Sequence, residues 1–277
     1  MSTSIFAKPY FIGTDNEAPG GPFNYLFRAT SLIRGEQMAQ FLGAKFNPTS
    51  GFDDDLCIYL KPRSLNNIRD GSYIDISDAG EELVDELKKR PKLKAITSSL
   101  VSYELVKKTL ANELHLILEH HCNFERVVRK KKTVKVAGFL GTPRSLTYPV
   151  EEIRKRLEKL GIKFITNFSY KGRQDVVDFY KQIDLHIVWY DSENSPFKHP
   201  GKIVNAAAYG VPTITNPRAG YKEFEGYYIS VDSIDLMMKE AEKLKDTAYY
   251  DMWSEKVLNK SEEYHIENIA KLYRNLK

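Results

Sequence analysis

Cysteine is scarce in this sequence, and long apolar runs are missing. Cys57 and Cys122 are its two cysteines, each in an apolar, strand-like stretch. That argues against a disulfide-built scaffold and for two buried free thiols in a reducing cytoplasm. No apolar run approaches the ~20 residues that a membrane-crossing helix needs. The opening MSTSIFAKPYF has no charged region followed by a long apolar one, so no secretory signal is expected. There is no internal repeat at a short fixed period and no low-complexity tract. The spacing of a Walker loop or of GxGxxG is missing too. No Ser-His-Asp or Cys-His hydrolase pattern stands out, although sequence order alone does not exclude one.

Charge of one sign is also in short supply. Lys and Arg number 41 against 37 Asp and Glu, a formal net charge of +4. This suits a protein that meets anions such as phosphates and does not by itself argue for nucleic acid, which is not expected as a partner. EHHCNF (119–124) invites a metal site. Neighbours on a strand point to opposite faces, so His120, His121 and Cys122 would not reach one ion without a sharp bend, and no metal is expected.

What the chain does have is alternation. Strand-like runs at SIFA or YFIG, LCIYL (56–60), SYIDI (72–76), KAIT (94–97) and LHLIL (114–118) are separated by helical patterns near 23–42, 79–89 and 99–109. A second series follows at TVKVAGFL (133–140), KFITN (163–167), LHIVW (185–189), PTIT (212–215) and GYYISV (226–231), with helices near 147–160, 174–182, 201–209, 232–245 and 248–275. Val150, Ile153, Leu157 and Leu160 recur at helical spacing, and Gly161 ends that helix. The pattern predicts an α/β protein with parallel sheets. We divide it into residues 1–125, residues 126–250 and a last helical stretch, 251–277. Between the halves lies ERVVRKKK (125–132), five of whose residues are basic. It reads first as a solvated linker and second as a basic patch for anionic lipids, a peripheral membrane contact.

Three segments of the second half should converge, because ligands of doubly wound sheets sit beyond the carboxyl ends of the strands. AGFLGTPRS (137–145) runs from a strand into a turn. Gly138 and Gly141 would let backbone amides approach a ligand there, and Arg144 could pair with phosphate oxygens. An ordinary strand-to-helix turn would look the same. VWYDSENSPFKHPG follows the strand LHIVW as a polar loop, and a helix opens at Gly201 with Lys202 in its first turn. A lysine is poorly placed for the helix dipole, which suggests an anionic partner, although an exposed lysine needs no such reason. Ala206, Ala207 and Ala208 let this helix pack closely, and Gly210 stops it.

GFLGTPRS, DVVDFYKQIDLHIVWYD and FKHPGKIVNAAAYGVPTITNP together resemble the donor-binding domain of GT-B glycosyltransferases. They are most similar to the nucleotide-sugar-dependent family 4, or group 1, enzymes, many of them retaining. The resemblance covers residues 133–245 well and the first half loosely. That family often carries an acidic residue, seven residues, then a glutamate that holds the donor ribose. Here Phe197 and Asn205 stand at those positions, so the acidic pair is absent. Asn205 could still bond a hydroxyl. Lys202 matches a lysine found in some branches three residues before the second acid.

The resemblance implies two Rossmann-like domains facing a cleft, the donor held mainly by the second, with the last helix crossing back to the first. It implies Gly20 and Gly21, in NEAPGGPFNYLFRA, as a glycine loop on the donor diphosphate, although a surface loop shaped by Pro19 and Pro22 would read alike. Asp78, after the strand SYIDI, is a candidate for the sugar or the acceptor hydroxyl, or the N-cap of the next helix. Tyr170 and Tyr190, in loops after strands, are candidates to stack on a base or sugar, and Thr142 and His199 complete the donor side. Lys202 and Arg144 would stabilise the leaving diphosphate. The expected reaction is transfer of a sugar from a nucleotide-diphosphate donor to a hydroxyl of a glycan or lipid-linked acceptor, without cofactor or metal. A non-catalytic nucleotide-sugar-binding protein and a nucleotide-sugar epimerase are the alternatives.

Overall fold

A computed structural model describes residues 2–7, 30–62, 64–77, 81–129, 133–141, 146, 150–170, 172–190 and 195–277. The chain divides into two units. One holds Met1–His120, Ser195–His199 and Ile266–Lys277, and the other holds His121–Asn194 and Pro200–His265.

The first unit is built on a six-stranded parallel sheet. Its strands are β1 (Thr3–Ala7), β2 (Lys45–Phe46), β3 (Leu56–Leu60), β4 (Tyr73–Asp75), β5 (Lys94–Thr97) and β6 (Leu114–Leu116), in the order β2-β1-β3-β4-β5-β6. Ile58, Ile74, Ala95 and Ile96 are fully buried, as strands covered on both faces require. A π-helical stretch, Ser31–Gln37, runs into α1 (Met38–Leu42). It lies tight on the sheet: a Cβ at Gly35 would come within 3.0 Å of Leu60 and 3.1 Å of Ala7 and Phe46. Helices α2 (Glu81–Lys88) and α3 (Leu100–Lys107) alternate with the strands. Ser99 caps α3 by accepting from the amide of Ser102.

The second unit carries a five-stranded parallel sheet. Strands β7 (Val136–Leu140), β8 (Lys163–Asn167), β9 (Leu185–Val188), β10 (Thr213–Thr215) and β11 (Ile229–Ser230) lie in the order β11-β10-β9-β7-β8. Helices α4 (Val150–Lys159), α5 (Arg173–Gln182), α6 (Gly201–Ala207), α7 (Ile234–Lys243) and α8 (Thr247–Ser261) connect and follow them. The helical spacing in α4 puts Ile153 and Leu157 into one core with Ala137, Phe139, Leu185 and Ile187. Each such side chain contributes about 1.5–3 kcal/mol on burial. Phe179, Tyr180 and Ile183 form another core with Leu140, Ala206 and Tyr209. Gly161 closes α4 at φ +72, and Gly210 follows α6 at φ +67; both are left-handed turns that favour glycine.

Two expectations need correction. The helix expected over 248–275 is two helices, α8 and α9 (Ile266–Arg274), joined by a 3-10 turn at Glu262–Tyr264. His265 is extended there, its ring bonded to the carbonyl of Phe124 at 3.0 Å. The chain changes unit at this break. The run ERVVRKKK is also not a uniformly solvated linker: Arg129 is buried against Asp184, at 2.6 Å.

Among the described residues, no helix is long and apolar enough to cross a membrane. His120, His121 and Cys122 send their side chains to different partners. His120 bonds Gln37, His121 lies edge-on to His265, and the Cys122 thiol meets the Tyr209 hydroxyl.

Candidate functional site

The strand order of the second unit marks one place on its sheet. From β7 the chain passes to β8 on one side and then to β9 on the other. Such a reversal leaves a crevice beyond the carboxyl ends of the two strands, where ligands of open α/β sheets bind. Gly141 follows β7 there, and Tyr190 follows β9.

Lys202, in the first turn of α6, reaches this point. Its Nζ lies 5.8 Å from the centre of the Tyr190 ring. Gly141 makes room for it, since a Cβ at that position would lie 2.9 Å from Lys202 Cε. The carbonyl of Lys202 accepts from the Tyr180 hydroxyl at 3.2 Å, which ties the turn to α5. Below it, His186 of β9 is fully buried, with Nδ1 3.1 Å from Thr213 Oγ1. Burial first, and the charge of Lys202 second, push this histidine down to about 3. It is therefore neutral at ordinary pH and leaves the local charge to Lys202. Its Nε2 has no hydrogen-bond partner among the described residues.

A second cation completes the group. The guanidinium of Arg218, just past β10, lies 4.4 Å from the Tyr190 ring centre. Tyr190 is a fixed platform for both. Its amide donates to Asn216 Oδ1 at 3.2 Å, and its carbonyl accepts from Asn216 Nδ2 at 2.6 Å. Its side chain bonds that of Tyr221, whose phenol is held well above its usual range, first by burial and then by Tyr190. Lys202 and Arg218 are thus within about 10 Å of each other, bounded by their distances to one ring. Charge-assisted hydrogen bonds from such a pair can take up neighbouring anionic groups of one ligand.

The other expected site residues fall in several places. Gly201 opens α6, which has Pro200 before it, no side-chain cap and no acid in its first turn. Asn205 is buried: its Oδ1 accepts from the amide of Cys122 and its Nδ2 donates to the carbonyl of Gly201, both at 2.8 Å. Gly138 lies within β7 under α5, where a Cβ would come within 2.4 Å of Ile183 and 2.8 Å of Phe179. Tyr170 packs beside the core that holds Leu140, Tyr180 and Tyr209. His199 belongs to the first unit and pairs with Glu119, and Phe197 is buried in that unit's core. Gly20, Gly21, Asp78, Thr142 and Arg144 lie outside the described residues. Arg218 and Asn216 were not anticipated. The signal was there, in TNPR directly after a strand of a parallel sheet, where side chains stand at the ligand edge.

No family model matches the sequence. No curated protein matches it either. Solved structures do. TarM of S. aureus, solved as a mutant with fondaparinux, α-GlcNAc-glycerol and UDP, shares 14% identity at a TM-score of 0.56, over 79% of this chain and 55% of its own. The DNA-modifying enzyme β-glucosyltransferase, solved with and without uridine diphosphoglucose, shares 11% at a TM-score of 0.55, over 99% of this chain and 98% of its own. A UDP-forming α,α-trehalose-phosphate synthase from Burkholderia vietnamiensis shares 10% at 0.54, over 96% and 80%. The chain thus spans little more than half of TarM and nearly all of β-glucosyltransferase. At such identities the likeness concerns the fold, which is α/β with two Rossmann-like units: the GT-B glycosyltransferase fold.

Proposed function

We propose that this protein transfers a sugar from a nucleotide-diphosphate donor to a hydroxyl of a glycan or lipid-linked acceptor. The observation that carries the reading is the Lys202–Tyr190–Arg218 group at the β7/β9 switch point of a sheet whose fold is shared with nucleotide-sugar transferases. The donor diphosphate would lie at Lys202 and Arg218, with the amides near Gly141 and Gly201 beside it. Positive groups placed where a diphosphate departs stabilise the transition state, usually the largest single catalytic term. Arg144 and Asp78 stay in this reading on the sequence pattern alone. The proposed donor chemistry needs no metal. Retention of anomeric configuration is what the resemblance implies. The first unit would serve the acceptor.

We place the reaction in the cytoplasm, a reading supported by the unpaired thiols of Cys57 and Cys122. A peripheral membrane contact would rest on Lys130, Lys131 and Lys132 together with the exposed Val127 and Val128, because Arg126 and Arg129 pair with Glu262 and Asp184.

A panel of nucleotide-sugars tests the reading by thermal stabilisation. A ligand at 100 times its dissociation constant adds about 2.7 kcal/mol. A hit should then release nucleoside diphosphate when an acceptor is supplied. A panel with no stabilising member would sink the proposal. A second reading, a binding protein without turnover, is favoured by the amide of Asn205, bonded to backbone at both ends, and by the burial of Phe197. Tight donor binding without release of diphosphate would select it.

A further inference from the structure

One short segment of the second unit, residues 216–221, addresses Tyr190 of the same unit three times. Asn216 grips its backbone, accepting from the Tyr190 amide and donating to the Tyr190 carbonyl. Arg218 lays its guanidinium over the ring, 4.4 Å from the centre. Tyr221 meets the hydroxyl. Tyr221 is 4% exposed and packs edge-on to Tyr228, their ring centres 6.0 Å apart. It lies in the 3-10 turn Ala219–Phe224, where its amide donates to the carbonyl of Arg218 at 3.0 Å. The residue that reaches the Tyr190 hydroxyl therefore also holds the residue that covers the Tyr190 ring.

The polarity of the phenol pair follows from its surroundings. Burial comes first among the causes that keep Tyr221 un-ionised, and Tyr190 works the same way through its charge and its hydrogen bond, while Arg218 opposes them. A hydrogen bond that favours the neutral phenol is one in which that phenol gives its proton. Tyr221 is thus the donor and the Tyr190 oxygen the acceptor, which directs the Tyr190 proton elsewhere. The two cations at the same ring cannot take it. Lys202 Nζ, 5.8 Å from the ring centre, and the Arg218 guanidinium carry donors and no acceptor. Donors gathered around one ring suit a ligand with several negatively charged oxygens.

We propose that the Tyr190 hydroxyl donates to a diphosphate oxygen of the sugar donor and that Tyr221 is its positioning residue. The inference rests on the glycosyl-transfer reading and gives Tyr190 a polar role in place of stacking on a base or sugar. Tyr221 occupies one lone pair of the Tyr190 oxygen and so turns its O–H toward the ligand. Tyr190 keeps its proton throughout, and its hydrogen bond strengthens as the departing diphosphate gains charge.

Titration calorimetry on the full chain tests this with inorganic pyrophosphate and with uridine, adenosine and guanosine diphosphates. Pyrophosphate presents the group without a base. Tyr190→Phe keeps the ring and removes the hydroxyl. It should weaken pyrophosphate and the best nucleoside diphosphate by the same factor, at least about tenfold, as a lost hydrogen bond to a charged group does. Tyr221→Phe should weaken both about threefold. The double variant should lose no more than Tyr190→Phe alone, because Tyr221 acts through that hydroxyl. A merely structural Tyr221 would lower the melting midpoint of its variant and leave the affinities of the folded protein unchanged. Wild-type affinities in Tyr190→Phe or in Tyr221→Phe, or losses that add in the double variant, would each overturn the inference and leave the transferase reading in place. A wild-type chain that binds none of the diphosphates would instead sink that reading, and the inference with it.

Discussion

The guanidinium of Arg218 lies 4.4 Å from the centre of the Tyr190 ring, and Lys202 approaches the same ring at 5.8 Å. Two cations on one platform act as a unit, so their effects should not add. Lys202→Ala and Arg218→Ala should each weaken donor binding by about tenfold, or 1.4 kcal/mol. The double variant should lose less than the sum of the two. Titration calorimetry with the selected nucleoside diphosphate reads all four affinities. Wild-type affinity in both single variants would remove the pair from the site.

Gly138 and Gly141 should separate stability from binding. A Cβ at Gly138 meets Ile183 at 2.4 Å and Phe179 at 2.8 Å, both in a packed core. Gly138→Ala should therefore cost about 1–3 kcal/mol of stability through overpacking. A Cβ at Gly141 meets Lys202 Cε and Phe139, each at 2.9 Å. The lysine is a flexible stem and can move, so Gly141→Ala should displace the cation. Donor affinity should fall there with a smaller loss in the melting midpoint than in Gly138→Ala. The reverse ranking would mean that Gly141 is a packing position.

Acid should destabilise the fold through His186 and His121. Burial, with Lys202 for the first and His265 for the second, holds both down to about 3. An unfolded histidine titrates near 6.5, so between the two values the unfolded chain binds a proton that the folded chain refuses. Their contribution is complete above about pH 6.5 and falls by about 1.4 kcal/mol per pH unit for each residue as the pH drops. Together they should remove about 3 kcal/mol between pH 6.5 and 5, above the range where carboxylates titrate. Urea unfolding at those two pH values checks this. His186→Gln should flatten the slope by about half, and an unchanged slope would refute the assignment.

Local patterns were readable in the sequence where a short period or a turn residue sets the structure. The spacing of Ile153 and Leu157 and the stop at Gly161 marked α4, and the apolar runs LCIYL and LHIV marked strands. What depended on distant partners left no such mark. Asn205 is bonded to Cys122, 83 residues away. Phe197 enters the core of the first unit from a five-residue segment, too short to show a period. The break at His265 follows a continuous helical pattern and is fixed by the carbonyl of Phe124. Arg218 differs from these, because its place after β10 was open to the same rule that picked out Lys202.

Asp184 is the remaining position where a distant contact decides a property. Its Oδ1 accepts from Arg129 at 2.6 Å, while Oδ2 accepts from the amides of Lys135 and Val136 at 2.9 and 2.8 Å. The side chains are 6% and 1% exposed. One carboxylate thus fastens the basic run, the entry to β7 and the turn before β9. Removing one partner of a buried ion pair leaves an uncompensated charge and costs about 3–5 kcal/mol. Asp184→Ala should reach that range or pass it, because two backbone donors lose their acceptor as well. Arg129→Ala should cost less, since the carboxylate keeps both amides. Urea midpoints give the order directly. Equal and small losses, within about 0.5 kcal/mol of wild type as for ordinary surface substitutions, would return Arg129 to a solvated linker.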